Sequence, residues 1–228
     1  MAPISFKCHR FPPEIIQHAV WLYARFSLSF RDVEDLLAER GIDVSNETLR
    51  RWFLKFGRLI AGNLRRSRPR ASARSHLDEM VIKIRGRKHW LWRAVDDEGD
   101  VLEVFATKRW NRKAALAFLK RAMKRYGQPR AIVTDRLKSY RAAMNVIGNA
   151  ADQECDLWLN NRAENSHQPF RRREGAMSKF RDVKTLQKFA AVHASIHNHF
   201  NLDRKLTRRD EFKQNRSAAL AEWCQLAA

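Results

Sequence analysis

Between Leu77 and Thr107 the chain runs through three strand-length apolar segments broken only by turn residues, a pattern that narrows the fold more than any other. LDEMVIKIRG ends at Gly86, KHWLWRAVDD ends at Glu98-Gly99, and DVLEVFAT follows at once. Connections this short join antiparallel neighbours, so the segments predict a β-meander. Trp90 and Trp92 alternate with Leu91 and belong to the packing of that sheet. Asn111 to Tyr126 then sets Ala114, Ala115, Phe118, Leu119 and Met123 at helical spacing, and Ala131-Ile132-Val133 is a buried-strand signal ending at Thr134-Asp135. Helices are expected over 137–147, 162–176 and 183–200, with a loop over 148–156. Sheet and helix in this succession predict the α/β class.

The first sixty residues are all-α in pattern. Pro12 and Pro13 open a helix whose Ile15, Ile16, Ala19, Val20, Leu22 and Tyr23 recur on one face. Ser29 and Asp32 form a capping-box pattern before Val33, Leu36 and Leu37, and Gly41 is placed to end that second helix. Ser45 or Asn46 can cap a third, Glu47 to Phe56, which turns Leu49, Trp52 and Phe53 inward and leaves Thr48, Arg50, Arg51 and Lys55 outside. Helix, glycine turn and basic helix make a helix-turn-helix, whose second member enters the DNA major groove; a helical hairpin with a solvated charged face writes the same pattern. The expected organisation is a helix-turn-helix domain at 1–61, an arginine-rich linker at 62–75, an α/β domain at 76–206 and a helical tail at 207–228.

Lysine and arginine number 45 against 25 acids, a net charge of +20, and the partner such a surface fits best is a polyanion, chiefly nucleic acid. No apolar run is long enough to span a membrane, and the start MAPISFKCHRFPPE lacks a secretory pattern, so a cytoplasmic protein is expected. Cys8, Cys155 and Cys224 are too far apart for a disulfide framework or zinc knuckle and read as reduced, partly buried thiols. His193, His197 and His199 lack the glutamate of a zinc-protease helix and read as packing or DNA-contacting groups.

Three acids stand apart: Asp78 at the start of the first strand, Asp135 at the end of AIVTD, and Glu164 in the helix after the loop. Acids at the carboxyl ends of buried α/β strands point into the ligand crevice. Convergence of such acids calls for hard divalent cations, with Mg2+ the natural choice. Glu79, Asp96 and Asp97 are expected to be solvated surface carboxylates.

HLDE at His76–Glu79, IRGRKHWLWRAVD at Ile84–Asp96, TDRLKSY at Thr134–Tyr140, NNRAENSHQPFRRRE at Asn160–Glu174 and LQKFAAVHASIHNHFN at Leu186–Asn201 resemble the DDE transposases of bacterial insertion sequences, in particular the IS-six group. The resemblance covers essentially the whole chain. It implies a ribonuclease-H-like catalytic domain, with Asp78, Asp135 and Glu164 as the catalytic triad and the ligands of two Mg2+, Mn2+ being the substitute. It also implies that Arg171, seven residues after Glu164, contacts DNA phosphate. Beside that glutamate, Arg171, Arg172 and Arg173, followed by Lys179 and Arg181, read as a phosphate track. The implied chemistry is cleavage at the inverted repeats of an element and attack of the freed 3′-hydroxyl on target DNA. A homodimer or larger assembly on double-stranded DNA in the bacterial nucleoid follows from handling two ends at once. The alternatives are a repressor derived from such an element, binding DNA without cutting it, and an RNA nuclease of the same fold, which would leave the N-terminal helices without a task.

Overall fold

A computed structural model describes residues 3–67, 73–135, 138–155, 160–177, 180–201 and 207–226. The chain divides into two compact units, one built from 1–68, 175–177 and 195–228 and the other from 69–174 and 178–194.

In the first unit, α1 (Pro13–Arg25), α2 (Phe30–Ala38), α3 (Asn46–Trp52) and α4 (Arg58–Ser67) follow in turn, with a π-helical stretch, Phe53–Gly57, between the last two. Their starts are fixed by local chemistry. Pro13 occupies the first turn of α1, where a missing N–H leaves no bond unmade. Ser29 and Asp32 close a reciprocal capping box on α2, and Ser45 accepts the Thr48 N–H at the head of α3; losing such a cap costs about 1 kcal/mol. Gly41, with φ at 74°, makes the left-handed turn between α2 and α3. The third helix was expected to stay regular to Phe56, but its α geometry stops at Trp52, and Phe53, Phe56 and Ile60 remain buried across the wider turn. Helix α4 continues to Ser67 because Asn63 and Leu64 are buried, so helix occupies the first part of the arginine-rich stretch; 68–72 lie outside the described residues. Helix α9 (Arg209–Gln225) joins this core: the Gln17 amide donates to the Trp223 carbonyl, and the Trp223 ring lies 5.6 Å from that of Phe200.

The second unit holds a five-stranded sheet in the order β3-β2-β1-β4-β5. Strands β1 (Arg74–Ile84), β2 (Arg87–Val95) and β3 (Val101–Thr107) are the expected antiparallel meander, whereas β4 (Ala131–Thr134) runs parallel to β1 and β5 (Gln153–Glu154) parallel to β4. The loop expected over 148–156 contains β5 and a 3-10 turn, Ala150–Asp152; two residues carry too little pattern to announce a strand. Helices α5 (Arg112–Tyr126) and α6 (Lys138–Ile147) cover one face over Leu77, Trp92, Ala94, Phe118, Leu119, Tyr140 and Met144. Trp92 is fully buried and donates its Nε1–H to Thr107 Oγ1 at 2.8 Å. Each large apolar side chain buried this way contributes about 1.5–3 kcal/mol. Helices α7 (Asn161–Ala176) and α8 (Val183–His199) complete the unit, the division between units falling within α8. Gln187 of α8 covers the free edge of β3, donating to Val104 O at 2.9 Å and accepting the Ala106 N–H at 2.7 Å. The fold is of the expected α/β class, a mixed sheet with flanking helices that follows an all-α N-terminal region. No described helix is long and apolar enough to cross a membrane.

Candidate active site

Strand β1 lies between β2 and β4. Its parallel ladder with β4 ends on the pair Leu77–Thr134, so the next residues on the two chains, Asp78 and Asp135, stand at adjoining positions. On its other side Asp78 pairs with Arg93 of β2, and residues level in a ladder point to the same face. The third acid is brought by α7. Asn160 Nδ2 donates to Leu77 O at 3.1 Å, and the Glu164 N–H bonds back to Asn160 O at 3.2 Å, which ties the first turn of the helix to the residue before Asp78. One turn further on, His167 Nδ1 stands 3.7 Å from Asp78 Oδ2.

The Asp78 side chain is 15% exposed and accepts the Glu79 N–H at 2.8 Å. Burial first, then the charges of Glu79, Asp135 and Glu164, push its carboxyl up to about 7 against the pull of that hydrogen bond. The charges of Asp135 and Glu164 therefore both reach Asp78, Glu164 from an exposed position and onto a carboxyl that is mostly buried. Arg93 is 3% exposed, with its guanidinium 6.0 Å from the Phe170 ring of α7; burial holds it down at about 10, and the Asp78 charge opposes that shift. Burial, then Arg93 and Arg171, hold His167 down at about 3, so its approach to Asp78 is a contact of a neutral ring and not an ion pair. Among the described residues no three His, Cys, Asp or Glu side chains cluster closely enough to grip a metal ion as they stand. The donors are nonetheless hard oxygens, and a like-charged group that holds a carboxyl near 7 is complementary to a hard divalent cation.

Several neighbours differ from expectation. Glu79 is not a solvated carboxylate: it accepts the Trp110 Nε1–H at 3.0 Å and the Tyr140 O–H at 2.9 Å, and burial, followed by the Asp135 charge, raises its pKa. Asp96 is 7% exposed and closes the β2–β3 turn by accepting the N–H groups of Glu98 and Asp100. Asp97 is half-buried, 3.0 Å from His76 Nε2. Arg173 does not line a surface track. It is 1% exposed, with its guanidinium 5.8 Å from the Phe189 ring, because residues three apart share a helix face and Arg173 follows the buried Phe170. Arg171 and Arg172 point outward, Arg171 to Glu174 at 2.9 Å; Arg181 is exposed, and Lys179 lies outside the described residues. The three cysteines are free and exposed, not partly buried. His193 is buried between the Phe170 and Phe189 rings. Arg93, His167, Tyr140 and Trp110 escape a reading of the sequence, although a lone arginine inside the buried run LWRAV is itself a signal that a partner charge is near.

On α3, the cations expected at a DNA face are exposed but engaged. Arg50 meets Glu47 with two contacts of 2.7 Å and Arg51 meets it at 3.3 Å; the Arg50 hydrogen bond is the main cause that holds Glu47 down at about 2. Thr48 Oγ1 lies 3.0 Å from Ser45 Oγ, and Lys55 Nζ 3.0 Å from His9 Nε2.

Residues 72–203 match a family model described as a DDE domain, of the IS240 transposase type. Over 195 residues the chain is 30% identical to the transposase for insertion sequence-like element IS431mec of Staphylococcus aureus, covering 83% of this chain and 87% of that protein. The transposase for insertion sequence element IS257 in transposon Tn4003, also from Staphylococcus aureus, is 30% identical over the same shares, 83% and 87%. Among solved structures, a chain of the simian T-cell lymphotropic virus intasome aligns over 57% of this chain and 50% of its own length, at 17% identity and a TM-score of 0.39.

Proposed function

Because the chain belongs to the DDE-domain transposases of insertion sequences, we propose that it binds the ends of such an element and catalyses Mg2+-dependent DNA cleavage and strand transfer, with Asp78, Asp135 and Glu164 as its catalytic and metal-holding acids. The observation that carries this reading is the adjoining position of Asp78 and Asp135 on two parallel strands, with α7 anchored to the residue before Asp78. Two Mg2+ ions held by these oxygens supply, when bound, neutralisation of the attacking and leaving oxygens of an in-line phosphoryl transfer. The chain supplies the frame. Strands β1 and β4 fix two of the acids on neighbouring backbones, and Asn160 fixes the start of the helix that carries the third. The Glu79 N–H orients the Asp78 carboxylate, and buried Arg93 on the adjoining strand offsets part of the like-charge repulsion.

The net charge of +20 and the outward Arg171 and Arg172 near Glu164 support a DNA backbone track. The succession α2, glycine turn, α3 supports recognition of duplex DNA through Thr48, Arg50, Arg51 and Lys55. Joining two ends needs a homodimer or larger assembly, working on the nucleoid in the cytoplasm.

The test uses purified chain, labelled DNA carrying the inverted repeats that flank its gene, and Mg2+. Wild type should nick and join the strand, and Asp78→Asn should bind the same DNA but cut nothing. A wild-type chain that binds these ends yet nicks with neither Mg2+ nor Mn2+ is a repressor, and the catalytic assignment is then wrong.

A further inference from the structure

The junction between β3 and α5, Lys108-Arg109-Trp110-Asn111, and the first two residues of that helix, Arg112-Lys113, are exposed throughout. Four cations flank one tryptophan along the chain, and none of the four has an acidic partner among the described residues. Trp110 is 46% exposed, yet it is firmly held. Its Nε1–H donates to Glu79 at 3.0 Å, and its ring lies 2° from parallel to that of Trp90 with centroids 6.4 Å apart. The segment is braced at both ends: Thr107 Oγ1 donates to Arg109 O at 2.9 Å, and Asn111 caps α5 by accepting the Ala114 N–H at 3.0 Å. Glu79, which holds the ring, adjoins Asp78 on β1, so the ring is held level with that candidate acid along the strand, at the face opposite to the Asp78 side chain.

An exposed aromatic ring among cations is the pattern by which proteins hold single-stranded nucleic acid: the ring stacks on a base while the cations track the backbone. In an intact duplex the base faces are covered by their neighbours, so only an unpaired base can use such a ring. We infer that Trp110 is a stacking platform for an unpaired nucleobase beside the scissile phosphate, with Lys108, Arg109, Arg112 and Lys113 holding the adjacent phosphates. The inference rests on the catalytic reading above and deepens it: the strand at the site is a locally melted DNA end. Glu79 and Trp90 are positioning residues that fix the plane of the ring.

Fluorescence anisotropy of the full chain in EDTA, with a labelled 20-mer oligothymidylate and with the same strand paired to oligoadenylate, tests this. Trp110→Ala should weaken single-strand binding by about tenfold while duplex binding stays within about twofold, and Trp110→Phe should recover most of the loss. The ratio of the two affinities is the readout, since a merely misfolded variant would lose both. Unchanged oligothymidylate binding by Trp110→Ala, an equal loss on both DNAs, or no recovery with phenylalanine overturns the platform. Nicking of end DNA is measured on the same wild-type preparation. A chain that nicks but binds oligothymidylate independently of Trp110 overturns the platform alone; one that keeps the Trp110-dependent binding but nicks nothing overturns the catalytic reading alone.

Discussion

Replacing Asp78 with asparagine should make the metal-free protein more stable. Within the fold its carboxyl is pushed from an ordinary 3.8 to about 7, by burial first and by neighbouring acids after it. A group raised in this way contributes its full stability only below the unfolded value, and that contribution is lost as the pH climbs through the folded one, here between about 4 and about 7. At about 1.4 kcal/mol per pH unit, the ionised carboxylate costs at most about 4 kcal/mol above pH 7. Water entry and relaxation reduce the figure, and the asparagine oxygen can still accept the Glu79 N–H, so the variant should recover about 1–3 kcal/mol. For 228 residues that is a rise of about 2–10 °C in thermal midpoint at about pH 8 in EDTA. At about pH 4.5 the gain should fall to about a quarter, since the unfolded carboxyl is then only partly driven to ionise. Scanning calorimetry of both proteins at the two pH values, following the transition of the sheet-containing unit, measures this. A variant no more stable than wild type at the higher pH, or one whose advantage ignores pH, refutes the reasoning.

Glu47→Gln should free Arg50 and Arg51 from contacts of 2.7 and 3.3 Å, and the slope of log affinity for duplex DNA against log salt should steepen by about 1–2. Anisotropy titrations across a KCl series read it, and an unchanged slope means that neither arginine reaches phosphate. Arg173→Ala should cost about 2–4 kcal/mol in urea unfolding, because it empties a site that is 1% exposed and removes the guanidinium from the Phe189 ring. Arg172→Ala should change stability by less than about 0.5 kcal/mol and weaken DNA binding instead; equal effects of the two on stability would contradict their opposite placement.

The meander was legible because Gly86 and Gly99 punctuate runs whose apolar content is too regular for a loop, and both adopt positive φ in turns. Asp78 and Asp135 were legible as candidates for the same reason: once β1 and β4 are placed, acids at those points have few other uses. What the sequence hides is of two kinds. Strand β5 forms because β4 offers a partner edge, which no local preference of Gln153-Glu154 announces. Glu79, Trp110 and Tyr140 meet only because β1, the β3–α5 junction and α6 converge, and nothing within any one segment brings them together. Arg173 is different, since helical spacing from Phe170 already turns it inward; a run of three arginines on a helix cannot face one way. Read as a run, it looks like surface; read as a helix, one member must be buried.

Above neutral pH, an acid held against its own ionisation in the middle of a sheet detracts from the fold that contains it. On the catalytic reading proposed above, the single step from Asp78 to asparagine both silences the chemistry and leaves a sturdier polypeptide. A chain silenced in this way should therefore outlast the working one as a folded protein.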